Sequence, residues 1–273
     1  MSFTVRERFA DYRWHLDRLR RQEWTEAMRE RLAARQERFL LEQARAGGDV
    51  CWVEDDDDPE PLVTVRIATY NRGQMLVDRA VQSALRQTYE RLEVLVVGDH
   101  CDMATQDAIA TVTDPRVRFV NLPYRGMYPH HPLQLWMVAG AAPMNAALRL
   151  ASGAWIAPCD DDDELTDDHV EVLLAEAKRR RLEMVYSKAN MEVRAGQWAE
   201  IGKWPLRHGH ISHGSVLYSA GLRFLQHSES SWRLHEPADW NMWRRMRRIG
   251  VRMGFLDRVT FVHHIEAYRR TVL

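Results

Sequence analysis

Apolar positions in residues 1–46 recur at helical intervals: Phe9, Tyr12, Leu16 and Leu19, then Trp24, Met28 and Leu32, then Phe39 and Leu40. The composition between them is Arg, Glu, Gln, Ala and Leu, which favours helix. The first two stripes are out of phase, so the pattern predicts two helices, or one bent near Arg21–Trp24. Gly47 and Gly48 end the segment, and Asp55–Asp58 with Pro59 and Pro61 read as an exposed linker.

From Pro61 the period changes. Pro61–Ala68 is a β-branched run and predicts a strand; Thr69–Gly73 is a loop; Met75, Leu76, Ala80, Val81, Ala84 and Leu85 recur as on a helix. A second strand is predicted at Leu92–Val97, closed by Gly98–Asp102, then a helix over Met103–Val112 and a strand over Val117–Leu122. This alternation is that of a parallel, doubly wound α/β sheet, with ligands bound past the carboxyl ends of its strands. Residues 123–143 read as a long irregular loop, Asn145–Leu150 as a helix, Ala154–Cys159 as a strand and Asp167–Arg181 as a helix capped around Thr166. The second half is less regular. Strands are expected at Glu183–Ser187, Val216–Tyr218, Val251–Leu256 and Val259–Val262, a helix at Trp240–Ile249, and an irregular stretch at Gly196–Gly214.

Composition changes this picture little. The 273 residues are 45% hydrophobic and 28% charged, enough for a sizeable core. Net charge is −1, which argues against a nucleic-acid partner. Cys51, Cys101 and Cys159 lack CxxC spacing, and a reduced, cytoplasmic setting fits them. No apolar run approaches 18 residues. No GxGxxG follows the first strand, so that dinucleotide fingerprint is absent.

The chemistry is concentrated where the strand Ala154–Cys159 runs into Asp160-Asp161-Asp162-Asp163. Carboxylates at a strand end are hard oxygen ligands, suited to Mg²⁺ or Mn²⁺ carrying a substrate phosphate. The plainer alternative is a solvated acidic turn. His130, His131, His208 and His210 lack zinc-site spacing and read as surface or acceptor-loop histidines. The cluster Arg244, Arg245, Arg247 and Arg248 is open to two readings, a solvated helix face or a site for acceptor phosphate or an anionic membrane.

Four landmarks then stand in order: Ala68-Thr69-Tyr70-Asn71-Arg72, Val96-Val97-Gly98-Asp99, Gly153-Ala154-Trp155-Ile156 leading into the Asp run, and Ala238-Asp239-Trp240. From Pro61 to Arg270 the chain resembles an inverting glycosyltransferase of family 2 with the GT-A fold. The resemblance implies an α-helical extension and linker over residues 1–60 and a GT-A domain over 61–273. Within that domain 61–165 is the nucleotide-sugar half and 166–273 the acceptor half. It implies an enzyme that is metal-dependent, using Mn²⁺ or Mg²⁺ and a UDP-sugar donor, with a glycan, lipid-linked or small-molecule acceptor.

The resemblance also implies roles. Thr69 and Tyr70 match the loop framing the nucleotide base, and Asp99 the acid that binds base or ribose. Asp160, Asp161 and Asp162 match the DXD region, with Asp162 on the metal and Asp160 or Asp161 on ribose or a metal-bound water. Asp239 matches the acceptor-activating base, His213 and Ser215 a segment near the acceptor pocket, and His263 or His264 a late metal ligand. Asp239 could equally cap the helix that follows it. Departures from the family pattern are Gly98, His100-Cys101, Met144 and Ala238. Gly98, His100 and Ala238 motivate a second reading, a catalytically silent relative that binds a nucleotide sugar or a partner protein through its amino-terminal helices. For residues 1–46 three roles stay open: a homo-oligomerisation arm, an Arg-rich helix peripheral at the inner membrane face, or a cap on the domain.

Overall fold

The computed structural model describes residues 5–50 and 60–265, with side chains from residue 20 onward. The acidic linker, Cys51 and the last eight residues fall outside the described residues. The chain begins with α1 (Val5–Ala46), one unbroken helix. Of the two expectations, two helices or one bent helix, the first is overturned. Of the three roles open for this segment, a cap made by the apolar stripe does not fit the described residues, because Trp24, Leu32 and Phe39 are exposed. The docked face carries Glu26, Glu30 and Glu37, then Leu41 and Ala44.

The strand β1 (Val63–Thr69) is followed by α2 (Gly73–Leu76), a π-helical turn (Val77–Val81) and α3 (Gln82–Leu85). Then come β2 (Leu92–Gly98), α4 (Met103–Ala110) and β3 (Val117–Asn121). The stretch expected to be a long loop holds α5 (Pro132–Val138), and α6 (Ala141–Leu150) begins before Asn145. Next are β4 (Trp155–Asp160), β5 (Glu164–Leu165) and α7 (His169–Arg180). β6 (Met184–Arg194) is longer than expected because it pairs with β7 (Gln197–Ile201), a strand inside the region read as irregular. After β8 (Val216–Ser219) and α8 (Ala238–Ile249), one strand, β9 (Met253–His263), replaces two expected short ones. Its pairing with β6 shifts register around Lys188, which is where the apolar pattern breaks.

The sheet order is β3-β2-β1-β4-β8-β6-β9-β5, with β7 paired to the later residues of β6, beyond those that pair β8. Strands β3, β2, β1 and β4 are parallel, and β8 enters antiparallel to both β4 and β6. Alternation along β2 divides the core: Val94 and Val96 face the layer of α2, α3, α4 and α7, whereas Leu95 and Val97 face α6 and α8. Each large side chain so buried contributes about 1.5–3 kcal/mol. On β1, Val63, Val65 and Ile67 take the first face. Thr64 and Arg66 therefore point to the second, and Arg66 is fully buried.

Three of the four arginines of α8 are taken up by α1, whereas Arg247 is exposed and donates to the Leu206 carbonyl at 2.6 Å. Arg244 and Arg248 pair with Glu30, and Arg245 and Arg248 with Glu37, so the helix face is spent on α1. At the other end Arg45 clamps the buried Glu183 through two contacts of 2.6 and 2.8 Å.

His169 joins α7 to β9: its Nδ1 lies 3.0 Å from the Thr260 carbonyl and 2.8 Å from the Thr260 hydroxyl. Burial pushes its pKa down to about 4. Above pH ~6.5 the ring is neutral folded or unfolded, and nothing is lost. Below that the unfolded chain takes a proton the fold refuses, so stability should fall by about 3 kcal/mol as pH drops toward 4. Urea titrations across this range on wild type and His169→Gln check it; the variant should lose that part of the slope.

Candidate active site

The register brings the landmark residues to one edge. Ala68 lies opposite Asp160 and Thr69 opposite Gly98, so Thr69, Tyr70, Asp99 and the Asp run share the carboxyl ends of β1, β2 and β4. The run is not a solvated turn: Asp161, Asp162 and Asp163 are 8%, 6% and 0% exposed.

Like charges this close repel unless cations sit among them. Arg72 supplies one, with Nη1 3.0 Å from Asp162 Oδ2 and Nε 3.5 Å from Asp161 Oδ1. Arg79 donates to the Asp162 carbonyl at 2.7 Å. Burial, then the charge of Asp162, still pushes Asp161 up to about 7 against the pull of Arg72. Asp163 accepts from the His264 amide at 2.8 Å and holds His263 Nδ1 at 2.7 Å. Burial opposes a charge on His263, but its bond to Asp163 and the charges of Asp163, Asp160 and Asp162 push it up to about 9. His264 turns its Nε2 to Glu164 at 3.0 Å, with the ring edge-on to Trp198.

Beneath the run lies a group the sequence reading passed over. Arg66 Nη2 is 3.0 Å from His213 Nε2 and 2.8 Å from His227 Nε2. Arginine has only donors, so both Nε2 atoms accept and both rings carry their proton on Nδ1. His213 therefore donates from Nδ1 to Asp160 Oδ1 at 2.8 Å. Burial works against a charge on Asp160, but His213, His263 and Arg66 hold it down to about 2. The visible signal was a charged residue in the middle of the apolar run Val63–Ile67; such a charge must find a partner. The Arg72 signal was its place within a landmark, two residues past Tyr70.

Asp239 lies in the first turn of α8, after Pro237, and accepts the Trp240 amide at 2.7 Å. It is not the N-cap residue, and no side-chain cap bond forms there. Trp243, four residues on and so on the same face, contacts the rings of both His213 and His227. Ser215 is fully buried, its hydroxyl donating to the Ser212 carbonyl within a tight turn.

Asp99 is buried, with both oxygens taken: the Gly126 amide donates to Oδ1 at 2.8 Å and the Tyr128 hydroxyl to Oδ2 at 2.6 Å. The Arg125 guanidinium sits 3.9 Å over the ring of Tyr70. Gly98 departs from the family pattern for a steric reason: a Cβ there would lie 2.6 Å from Asn121 Oδ1 and 3.0 Å from Cys101 Sγ.

Among the described residues no group of three or more His, Cys, Asp or Glu side chains is gathered to hold a metal ion. The expected histidine ligand meets an arrangement in which both His263 and His264 are engaged by carboxylates. The Asp run nevertheless fits a hard divalent cation. Mg²⁺-type sites use one or two carboxylates plus substrate phosphates, and a cation would offset the burial and the Asp162 charge that push Asp161 up to about 7.

Residues 64–129 and 138–273 match the model of the family described as Glycosyl transferase family 2. The chain is 32% identical over 181 residues to WcaA of Escherichia coli K12, named for glycosyl transfer in colanic acid biosynthesis, covering 64% of this chain and 59% of WcaA. It is 27% identical over 200 residues to the chondroitin synthase of Pasteurella multocida, covering 70% of this chain and 19% of that one. The chain thus spans well under two thirds of these relatives. Among solved structures, S. aureus TarS 1-349 in complex with UDP superposes with a TM-score of 0.57 at 16% identity, over 75% of this chain and 60% of TarS. The mannosyltransferase PcManGT of Pyrobaculum calidifontis, in complex with GDP-Man and Mn²⁺, gives 0.52 at 19% identity, over 88% and 68%. These likenesses support the GT-A fold.

Proposed function

The chain belongs to glycosyl transferase family 2, and from that premise we propose that it moves a sugar from a nucleotide-diphosphate donor to an acceptor hydroxyl with inversion. The observation carrying this reading is the buried Asp run, ringed by Arg72, Arg79 and His213, at the carboxyl edge it shares with Thr69 and Asp99. A relative named for glycosyl transfer, and structural neighbours in complex with UDP and with GDP-Man, support the substrate class.

In this reading Thr69, Tyr70 and Asp99 frame the nucleoside, and Asp160 or Asp161 holds the ribose. Asp162, with Asp161, would hold Mn²⁺ or Mg²⁺, which when bound neutralises charge on the departing diphosphate. Arg72 stands between those carboxylates and adds a fixed positive charge. Asp239 takes the proton of the acceptor hydroxyl as it attacks the anomeric carbon from the face opposite the leaving group. One displacement inverts that carbon, and no carboxylate nucleophile is required. A UDP-sugar is the proposed donor, and a glycan or lipid-linked sugar the acceptor. The proposed setting is cytoplasmic: Cys101 and Cys159 are buried free thiols.

The test is a thermal-shift screen with UDP, GDP, dTDP and CMP, each with and without Mn²⁺. At a hundredfold excess over Kd a true ligand adds about 2.7 kcal/mol, a rise of roughly 6 °C. UDP with Mn²⁺ should produce it, and Asp162→Ala should remove the Mn²⁺-dependent part while staying folded. No shift with any nucleotide, or an unchanged shift in Asp162→Ala, would reject the assignment.

A further inference from the structure

We propose that the outward face of α1 docks on an anionic lipid bilayer. The fold sorts this helix by charge. Glu26 bonds Ser230, Glu30 bonds Asn241 and Arg244, and Glu37 bonds Arg245. The acids of the middle of the helix are therefore spent on the domain. Between residues 24 and 41 every exposed charged residue is an arginine: Arg29, Arg31, Arg35 and Arg38. Glu23 and Glu42 lie beyond the two ends of this stretch.

The same face carries a ridge of large apolar side chains. Trp24, Leu32 and Phe39 are 66%, 71% and 57% exposed, and the half-buried Met28 lies between the first two. Spacings of four, four and seven put all four residues on one side of the helix, opposite Glu26, Glu30 and Glu37. An apolar ridge with Trp and Phe flanked by arginines is the composition of a helix lying in a membrane interface. Its partner carries negative charge at the surface and hydrocarbon just below, which describes an anionic leaflet. A second copy of the chain fits less well. Two such faces laid together set arginine against arginine, with no exposed acid in the middle to separate them. Among the described residues no helix is long and apolar enough to span a bilayer, so the attachment proposed is peripheral.

The experiment is co-sedimentation of the full chain with sucrose-loaded vesicles of phosphatidylcholine, alone or mixed with phosphatidylglycerol, at physiological salt. The chain should pellet with the mixed vesicles and stay in solution with the neutral ones. Each arginine near the surface is worth roughly fivefold in partition. Replacing three together, Arg31→Gln, Arg35→Gln and Arg38→Gln, should weaken binding roughly a hundredfold. Trp24→Ser with Phe39→Ser should abolish it. All five positions are exposed, so circular dichroism and the thermal midpoint should not change. Wild type remaining in the supernatant, or variants binding as well as wild type, would overturn the proposal. So would a reversible dimer in sedimentation velocity that Trp24→Ser with Phe39→Ser dissolves, without vesicle binding; the face would then belong to a second copy. None of these readouts uses sugar transfer, so a failed donor screen leaves this test intact.

Discussion

Asp239→Asn is expected to bind donor nucleotide as wild type does and to lose transfer by roughly 10²–10⁴-fold. That is about 3–5 kcal/mol on the barrier. The amide keeps an oxygen for the Trp240 N–H, so the contact within the first turn of α8 survives. What disappears is the ability to accept a proton. If the carboxylate served only the helix start, its loss would cost about 1 kcal/mol of stability or less and leave turnover alone. The two roles therefore separate cleanly: steady-state rates with saturating donor report one, the melting midpoint the other. Full turnover with a lowered midpoint would reduce Asp239 to a piece of helix architecture.

Arg66→Met should be the most damaging single change to stability. Methionine fills much of the volume but donates nothing, leaving the Nε2 atoms of His213 and His227 buried without the bonds of 3.0 and 2.8 Å. It also removes the positive charge behind Asp160, which burial otherwise disfavours. Breaking a buried charged network from one side costs about 3–5 kcal/mol. Calorimetry should show a midpoint lowered by on the order of 10 °C. Buried ionic groups are sometimes replaced by apolar ones without loss; an unchanged midpoint would place Arg66 in that class and remove it as the support of Asp160.

What could be read from the sequence follows from what kind of signal each feature leaves. Strands β1, β2 and β4 were legible because both of their faces are buried, so they appear as apolar runs ending in turn residues. The Asp run was legible as the end of a buried strand because of the apolar run before it; Asp55–Asp58, with the same letters, follows no long apolar run in the sequence. The role of α1 stayed open in the sequence because apolar periodicity finds a stripe but not its direction. Its stripe faces outward while Glu30 and Glu37 face α8, and pairings more than 200 residues apart leave no local trace. Arg66 and His227 were missed for the same reason, since they meet across 161 residues. The β6–β7 hairpin was hidden because the residues of β7 are mostly exposed and show no apolar alternation.

The hold of Gly126 and Tyr128 on Asp99 bears on how one nucleobase would be told from another. A base reaching that carboxylate does not gain two new bonds; it trades places with an amide and a hydroxyl already there. The net gain from such an exchange is small, and it is similar for any base that presents an N–H. On the proposed reading, selectivity at this position then has to come from outline: which ring fits beside Tyr70, whose face the Arg125 guanidinium covers at 3.9 Å.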